Sequence, residues 1–343
     1  MTIDRRSLLK SLAVGAMAAP ILPSLFSSAA SAAELVKLKV QLGWVSNVEH
    51  AAHWIALDKG LFTAAGLDVT VSPGGPNAPD PLVVVAAGDA QIGYTSWLPF
   101  LDAVAQGNDY VLTATLFQSS PLGIISLKKK PILTPKDILG SKILAQGPNE
   151  KTSIEATLAL AGLKTDDWTM VPAGFSPEPL VAGEGDGYTA FATNQTITLE
   201  KMGLKRDEDF FFRSFDELGF KSYAGLPFVT RQFLAENRPA IVAYIRALIA
   251  ASKLNEADPA YAAKLAVDTY GADLGLDLAQ QTRQNELQIP IIHPGMKPDF
   301  KLLSMDRDLM AGDMMAAARA TGRTNLPDID KIVDFSVVTE ALG

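Results

Sequence analysis

From Leu42 to Ala56 the chain reads Leu-Gly-Trp-Val-Ser-Asn-Val-Glu-His-Ala-Ala-His-Trp-Ile-Ala, its densest run of aromatic, amide and imidazole groups. Asn47, His50 and Trp54 fall at i, i+3 and i+7, one stripe of a helix. Ala51, Ala52 and Ile55 form another stripe, the one expected to face a core. Trp44 stands just before the helix, in a loop. Indoles with an amide and an imidazole can grip a flat, polar heteroaromatic ring, and one aromatic stack is worth roughly 1–3 kcal/mol. Trp54 has the alternative of packing in the core. The spacing His50-x-x-His53 would place two metal ligands on one helix face, but a zinc site needs further ligands that the sequence does not identify.

Other candidates sit where strands hand over to helices. Ser96 and Trp97 follow a short strand ending at Tyr94, and Gln118 follows the next strand. A Ser at a helix start offers its hydroxyl and nearby N–H groups to a ligand oxygen, or simply caps the helix. Gln146-Gly147-Pro148-Asn149 lies between a strand and a helix, where free N–H groups suit a polar ligand group that Asn149 would select; the plain alternative is a turn. Tyr188 and Asn194 bracket a further strand end as a wall and an amide contact, against the roles of packed aromatic and helix cap. Gly74-Gly75-Pro76-Asn77 lacks the Lys-Ser/Thr of a phosphate loop and reads as a flexible rim.

Those positions are set by alternating strand-like and helix-like segments. The first series has strands over 35–42, 67–71, 90–94 and 110–116, with helices through 58 and over 81–87 and 96–106. Ser46-x-x-Glu49 has the spacing of a capping box at the first helix. Residues 122–127 are extended. A second series follows, with strands over 142–145, 168–171, 187–190 and 210–213 and helices over 151–161, 176–182 and 194–202. Residues 225–230 are extended again, and helices over 231–236, 239–255, 259–270 and 277–287 complete the pattern. This predicts an α/β protein of two lobes, each a mainly parallel sheet flanked by helices, joined by two crossover segments. Lobe I would comprise 34–121 and 226–343, with lobe II, 122–225, inserted. A cleft with a hinge at its base results, and ligands sit at the carboxyl ends of the strands.

Bulk properties narrow the function. The formal charge is −8, and roughly −10 without the first 33 residues. Such an acidic chain, whose one cationic run is Lys128-Lys129-Lys130, is a poor partner for nucleic acid or anionic membrane. With no cysteine and three histidines, disulfides, thiolate metal sites and cysteine nucleophiles are excluded. No G-x-S-x-G motif marks a hydrolase. At the start, Arg5-Arg6 precedes an apolar stretch from Leu12 to Phe26 and the small residues Ala29 to Ala33. This reads as an export signal over 1–33, of the twin-arginine type, although Asp4 and Leu8 depart from that pattern and leave the general secretory route open. A retained anchor is the alternative; the stretch is short and interrupted by Pro20 and Pro23. The expected location is the periplasm, with no membrane insertion after cleavage.

The Leu42–Ala56 run resembles the L-x-W-x-P-N-x-x-H-x-G-x-Y-x-A stretch of periplasmic binding proteins related to the thiamine-pyrimidine synthases, within the nitrate, taurine and sulfonate binding group. Lys59-Gly60-Leu61-Phe62 with Gly66-Leu67-Asp68-Val69, then Val85 to Gly93, then Gly185-Asp186-Gly187-Tyr188 through Thr193-Asn194-Gln195, resemble further family segments in the same order. Departures are Ser46 for Pro, Ala52 for Gly, Trp54 for Tyr and Gln195 for Glu. The resemblance implies a type II periplasmic-binding-protein fold, with Trp44, Asn47 and His50 lining the cleft. It also implies a monomer that captures a small heteroaromatic solute, pyrimidine-like or related, for an ABC permease, without a cofactor and without catalysis. The same fold binding a small anion such as a sulfonate, taurine, nitrate or an aromatic acid is the alternative. Fungal relatives are synthases with an iron-binding, cysteine-rich motif, which this chain lacks.

Overall fold

Val36–Gln41 forms strand β1, with Leu38 and Val40 inaccessible and Lys37 and Lys39 exposed between them. The computed structural model describes residues 34–343; the expected export signal lies outside the described residues. After β1 come a single turn, Val48–His50, and helices α1 (Ala51–Asp58) and α2 (Leu61–Ala64). Then follow β2 (Leu67–Ser72), α3 (Pro81–Ala86), β3 (Ile92–Thr95), α4 (Trp97–Ala105) and β4 (Tyr110–Leu112). The fourth strand is shorter than the 110–116 expected, because from Thr113 the chain bonds across to Pro227, Leu303 and Gly225 instead of continuing one ladder. The second series is β5 (Leu122–Leu127), β6 (Lys142–Ala145), α5 (Pro148–Leu160), β7 (Thr169–Pro172), α6 (Glu178–Ala182), β8 (Gly187–Phe191), α7 (Gln195–Lys201) and β9 (Phe210–Ser214). β10 (Leu226–Thr230) leads to α8 (Arg231–Ala257), α9 (Pro259–Leu265) and α10 (Leu278–Ile292).

Two five-stranded sheets result, ordered β2-β1-β3-β10-β4 and β7-β6-β8-β5-β9. Each is parallel except for one strand: β10 runs antiparallel between β3 and β4, and β5 antiparallel between β8 and β9. These odd strands are the ones that cross between sheets. The fold is thus the two-lobed α/β arrangement, with its crossovers side by side: Phe117 N–H donates to the Ala224 carbonyl at 3.0 Å, and Ser120 N–H to Ser222 at 2.8 Å.

Local chemistry explains the boundaries. Asp80 accepts from Leu82 N–H at 2.8 Å, and Pro81 occupies the first turn of α3, where its missing N–H costs nothing. The expected break between 236 and 239 becomes a kink instead. Asn237 leaves helical geometry (φ −129°, ψ 26°) two residues before Pro239, and α8 runs through. Three apolar clusters hold the layers together. One packs Leu38, Val40 and Trp54 under α8, through Ile241 and Tyr244. A second joins Trp97, Phe100 and Phe228 to Ile124, Ile143 and Ile154, so both sheets share it. The third covers the far face of the second sheet, around Ile125, Leu144 and Tyr188. Among the described residues no helix is long and apolar enough to cross a membrane.

Candidate functional site

The carboxyl ends of β1 and β3 in one sheet, and of β6 and β8 in the other, open onto one cleft of about 390 Å³. Helices follow all four strands, so each strand end delivers a short loop and a first helical turn to the wall. Trp44, Glu49 and His50 come from the loop after β1, and Tyr94 and Ser96 from the end of β3. Gln146, Asn149 and Glu150 come from the end of β6, and Thr189, Phe191 and Asn194 from the end of β8. The crossovers close the base through Ser120, Phe220, Ser222 and Tyr223.

Trp44 is half-buried, and its ring lies 6.4 Å from that of Phe175, tilted by 30°. Its loop is braced by the segment read as a flexible rim. Gly74 N–H donates to the Trp44 carbonyl at 2.8 Å, and a Cβ on Gly74 would sit 2.3 Å from the Leu42 carbonyl oxygen. Only glycine fits there, so this part of the rim is packed. Ser96 precedes α4 but makes no side-chain cap, leaving its hydroxyl at the cleft. Asn149 donates to the Glu150 carboxyl at 3.4 Å, and the buried Asn194 accepts from Gln280 at 3.3 Å. Gln146 and Thr189 fix each other: the Thr189 hydroxyl donates to Gln146 Oε1 at 2.6 Å, and Gln146 Nε2 donates to the Thr189 carbonyl at 3.0 Å.

The structure places three expected wall residues elsewhere and turns a fourth mostly into the core. Asn47 is fully buried away from the cleft; its Oδ1 accepts from Glu49 N–H at 2.9 Å, so Asn47 and not Ser46 caps the first turn. The expected Ser46–Glu49 capping box is absent, which frees the Glu49 side chain. Gln118 donates to the Ser304 carbonyl at 2.9 Å, outside the cleft lining. Tyr188 is inaccessible on the opposite face of β8, its hydroxyl donating to the Gly174 carbonyl at 2.7 Å. Side chains alternate along a strand, so Thr189 and Phe191 take the cleft face that Tyr188 cannot. Trp97 touches the cleft but is 1% exposed, and its indole N–H donates to the Met314 carbonyl at 2.9 Å; it belongs mainly to the core. Trp54, too, packs inside, stacked on Tyr270 at 4.5 Å with its N–H on the Asn47 carbonyl.

Burial sets the charges. Desolvation pushes the Glu49 carboxyl up to about 8 and raises that of Glu150 as well. It pushes the His50 ring down to about 3, which keeps the ring neutral; nearness of the Trp44 backbone opposes this weakly. Neither ring nitrogen of His50 makes a hydrogen bond of ordinary geometry. Behind it, His53 Nε2 pairs with the Tyr244 hydroxyl at 2.7 Å, which pairs with Tyr94 at 2.9 Å. His50 and His53 lie ring to ring at 5.9 Å, edge to face, and among the described residues no group of three or more His, Asp or Glu could hold a metal.

The family described as "NMT1/THI5 like" matches residues 47–262, which contain the β1 loop's first turn and both crossovers. The chain belongs to the NMT1/THI5-like family. A relative from Schizosaccharomyces pombe, named 4-amino-5-hydroxymethyl-2-methylpyrimidine phosphate synthase, is 24% identical over 225 residues. That alignment covers 63% of this chain and 64% of the relative, so the chain spans just under two thirds of the synthase's length. Among solved structures, the ligand-binding component of an ABC-type import system from Staphylococcus aureus aligns with a TM-score of 0.65 at 12% identity, covering 89% of this chain and 99% of that one. The alkanesulfonate-binding protein SsuA from Xanthomonas axonopodis pv. citri, bound to MOPS, aligns with a TM-score of 0.63 at 18% identity, covering 88% and 99%. The NMT1/THI5-like chain therefore has the periplasmic-binding-protein fold. The expectation of a role without catalysis is corrected here: the family includes proteins named as synthases, so the absence of catalysis does not follow from membership.

The NMT1/THI5-like resemblance pointed to Trp44, Asn47 and His50, of which Asn47 is the buried cap. It did not point to Glu49, to the Gln146–Thr189 pair or to the Phe220–Tyr223 crossover. Glu49 had a signal, a carboxylate beside His50, but its spacing from Ser46 suggested a cap. The crossover residues had none, because nothing local tells an extended linker that its side chains line a cleft.

Proposed function

We propose that the cleft captures a small, flat nitrogen heterocycle, and that the protein is the extracytoplasmic solute-binding component of an ABC importer. What carries this reading is the composition of the cleft. Its volume of about 390 Å³ is at the small end of the ~300–1,000 Å³ usual for ligand sites. Its polar walls are amide, hydroxyl and carboxyl groups beside aromatic rings, and no Lys or Arg is among them. Lys151 instead reaches Glu155 at 3.8 Å on the surface, and Arg213 donates to the Phe212 carbonyl. A sulfonate, nitrate or aromatic acid would enter a site that offers carboxyls and no counter-charge, which weighs against the small-anion alternative. In this reading residues 34–121 and 226–343 form one lobe and 122–225 the other, residues 1–33 direct export by the twin-arginine route, and a monomer docks on its permease in the periplasm.

The test is a thermal-shift screen followed by calorimetry, with pyrimidines, other nitrogen heterocycles, aromatic acids, taurine and nitrate. Ligand at about 100 times its Kd should add about 2.7 kcal/mol of stability. Hits among heterocycles support the reading; hits confined to anions overturn it. The name of the fission-yeast relative favours a second reading, in which a pyrimidine in the same cleft is a reactant or product. Without cysteine, its chemistry would fall to the carboxyls and the neutral imidazole of His50. Chromatography of each ligand after incubation separates the two readings: recovery unchanged supports capture, and conversion supports a synthase.

A further inference from the structure

The cleft has two flanks of unlike chemistry, one at Trp97 and one at Asn194, and both residues line it. On the Trp97 flank, α5 packs against α4 and against a C-terminal segment, where a wide helical turn, Met310–Met314, runs into the helix Met315–Ala320. That segment is fixed to α4. Arg323 donates to both carboxylate oxygens of Asp102 at 2.7 Å, and the Trp97 indole holds the Met314 carbonyl. Its contact with α5 is of another kind. Trp97, Phe100, Met314 and Met315 share one buried apolar cluster with Ile154 and Leu158 of α5. Ser153 and Thr157 of α5 donate back to carbonyls of their own helix at 2.8 Å, and among the described residues no hydrogen bond or ion pair crosses this seam. Apolar contact is non-directional, so helices joined by it alone can slide without breaking a bond, whereas separating them exposes apolar surface. Methionine, unbranched and with three rotatable bonds, re-packs as they slide.

On the Asn194 flank the contact is polar. α7 meets α10 through Gln280, which donates to Asn194 and Thr198, and through the Lys201–Asp277 pair at 3.0 Å. The residues next in sequence, Met202 and Leu278, are 45% and 46% exposed, so they form no apolar seal there. Water replaces such hydrogen bonds and exposed ion pairs at little net cost. We propose that the cleft opens on one flank only: α7 parts from α10, while α5 stays on α4 and the methionine segment and slides there. This concerns the route into the cleft and is independent of which solute, reactant or product it takes. α5 and α7 follow β6 and β8, adjacent strands of one sheet whose ends the Gln146–Thr189 pair ties together, so that sheet turns as a body about the seam. A symmetric gape about the crossovers would instead pull α5 off Trp97, Met314 and Met315 and bring their apolar surface to water.

The chain has no cysteine, so paired cysteines take spin labels at the chosen sites alone. One ligand-free protein carries Glu200→Cys on α7 with Lys264→Cys on α9, which packs on α10. Another carries Leu160→Cys on α5 with Arg319→Cys on the C-terminal helix; all of these residues are exposed. Electron paramagnetic resonance reads the distance distribution of each pair, with the α7–α10 latch intact and with it cut by Gln280→Ala and Lys201→Ala. Cutting the latch should lengthen the α7–α9 distance by several ångströms, while the α5 pair shifts by no more than about 2 Å, the range of helices that slide in contact. Similar lengthening of both pairs would mean a gape about the crossovers, and an unmoved α7–α9 pair would mean that the Asn194 flank is not the gate; either overturns the proposal. No ligand is present, so this result stands apart from that of the ligand screen.

Discussion

Trp44 and Glu49 show how far single side chains decide this site. Trp44 is half-buried and its side chain faces Phe175 across 6.4 Å. Trp44→Ala should weaken ligand binding by about tenfold or more, the low end of one stacking contact, with the urea midpoint nearly unchanged; calorimetry beside a denaturation curve reads both. Glu49 and His50 make opposite contributions to stability. The His50 ring, held far below its unfolded value near 6.5, adds stability that is lost as pH falls below about 6.5 toward 3. The Glu49 carboxyl is raised above its unfolded value near 4.5, so the folded state holds a proton that the unfolded chain has released. Its stabilisation is therefore present at low pH and is lost as pH rises toward 8. Between about pH 6.5 and 8 the two buried histidines finish titrating in the unfolded chain and offset part of the Glu49 contribution, so unfolding free energy should fall by about 1 kcal/mol. Glu49→Gln should abolish that fall in a urea series, and a wild-type profile already flat there would remove Glu49 from the buried wall.

Helix α10 sets the cleft from behind. Gln281 and Gln288 lie seven residues apart on one face and hold both backbone groups of Val48. Val48 N–H donates to Gln281 Oε1 at 2.9 Å, and Gln288 Nε2 donates to the Val48 carbonyl at 2.8 Å. Val48 begins the turn that carries Glu49 and His50. Gln281→Met should leave a buried N–H unpaired and cost about 1–3 kcal/mol. It should also lower ligand affinity, because the turn loses its anchor. Loss of stability at full affinity would show that α10 holds the core and not the site.

At the scale of the molecule, α10 reaches across to α7, whose strand and sheet form the other side of the cleft. Gln280 donates to Asn194 Oδ1 at 3.3 Å and to the Thr198 hydroxyl at 3.0 Å, both at the start of α7. The nearby Lys201–Asp277 pair is half-exposed at 3.0 Å and adds little. Gln280→Ala should therefore speed ligand release severalfold in a stopped-flow displacement, with folding stability changed by less than about 1 kcal/mol. An unchanged off-rate would mean that the lobes are held by their shared apolar cluster alone.

The order of strands and helices was legible in the sequence, because hydrophobic period and turn residues are local properties, and each strand end could be named from them. So were the prominence of Trp44 and His50, the family, and the exclusion of thiolate chemistry by the lack of cysteine. Which face of an element meets which neighbour was not. Tyr188 and Thr189 are adjacent, and only the stacking of β8 against Leu144 and Ile125 sends the tyrosine into the core. Asn47 looked like a ligand group until it proved to be the cap, and Glu49 looked like a cap until it proved to be a wall. Gln281 and Gln288 reach Val48 from more than 230 residues away. A periodic pattern fixes the spacing of side chains along one element; burial, charge and orientation in the cleft are set by packing between distant elements, and only the tertiary structure contains that.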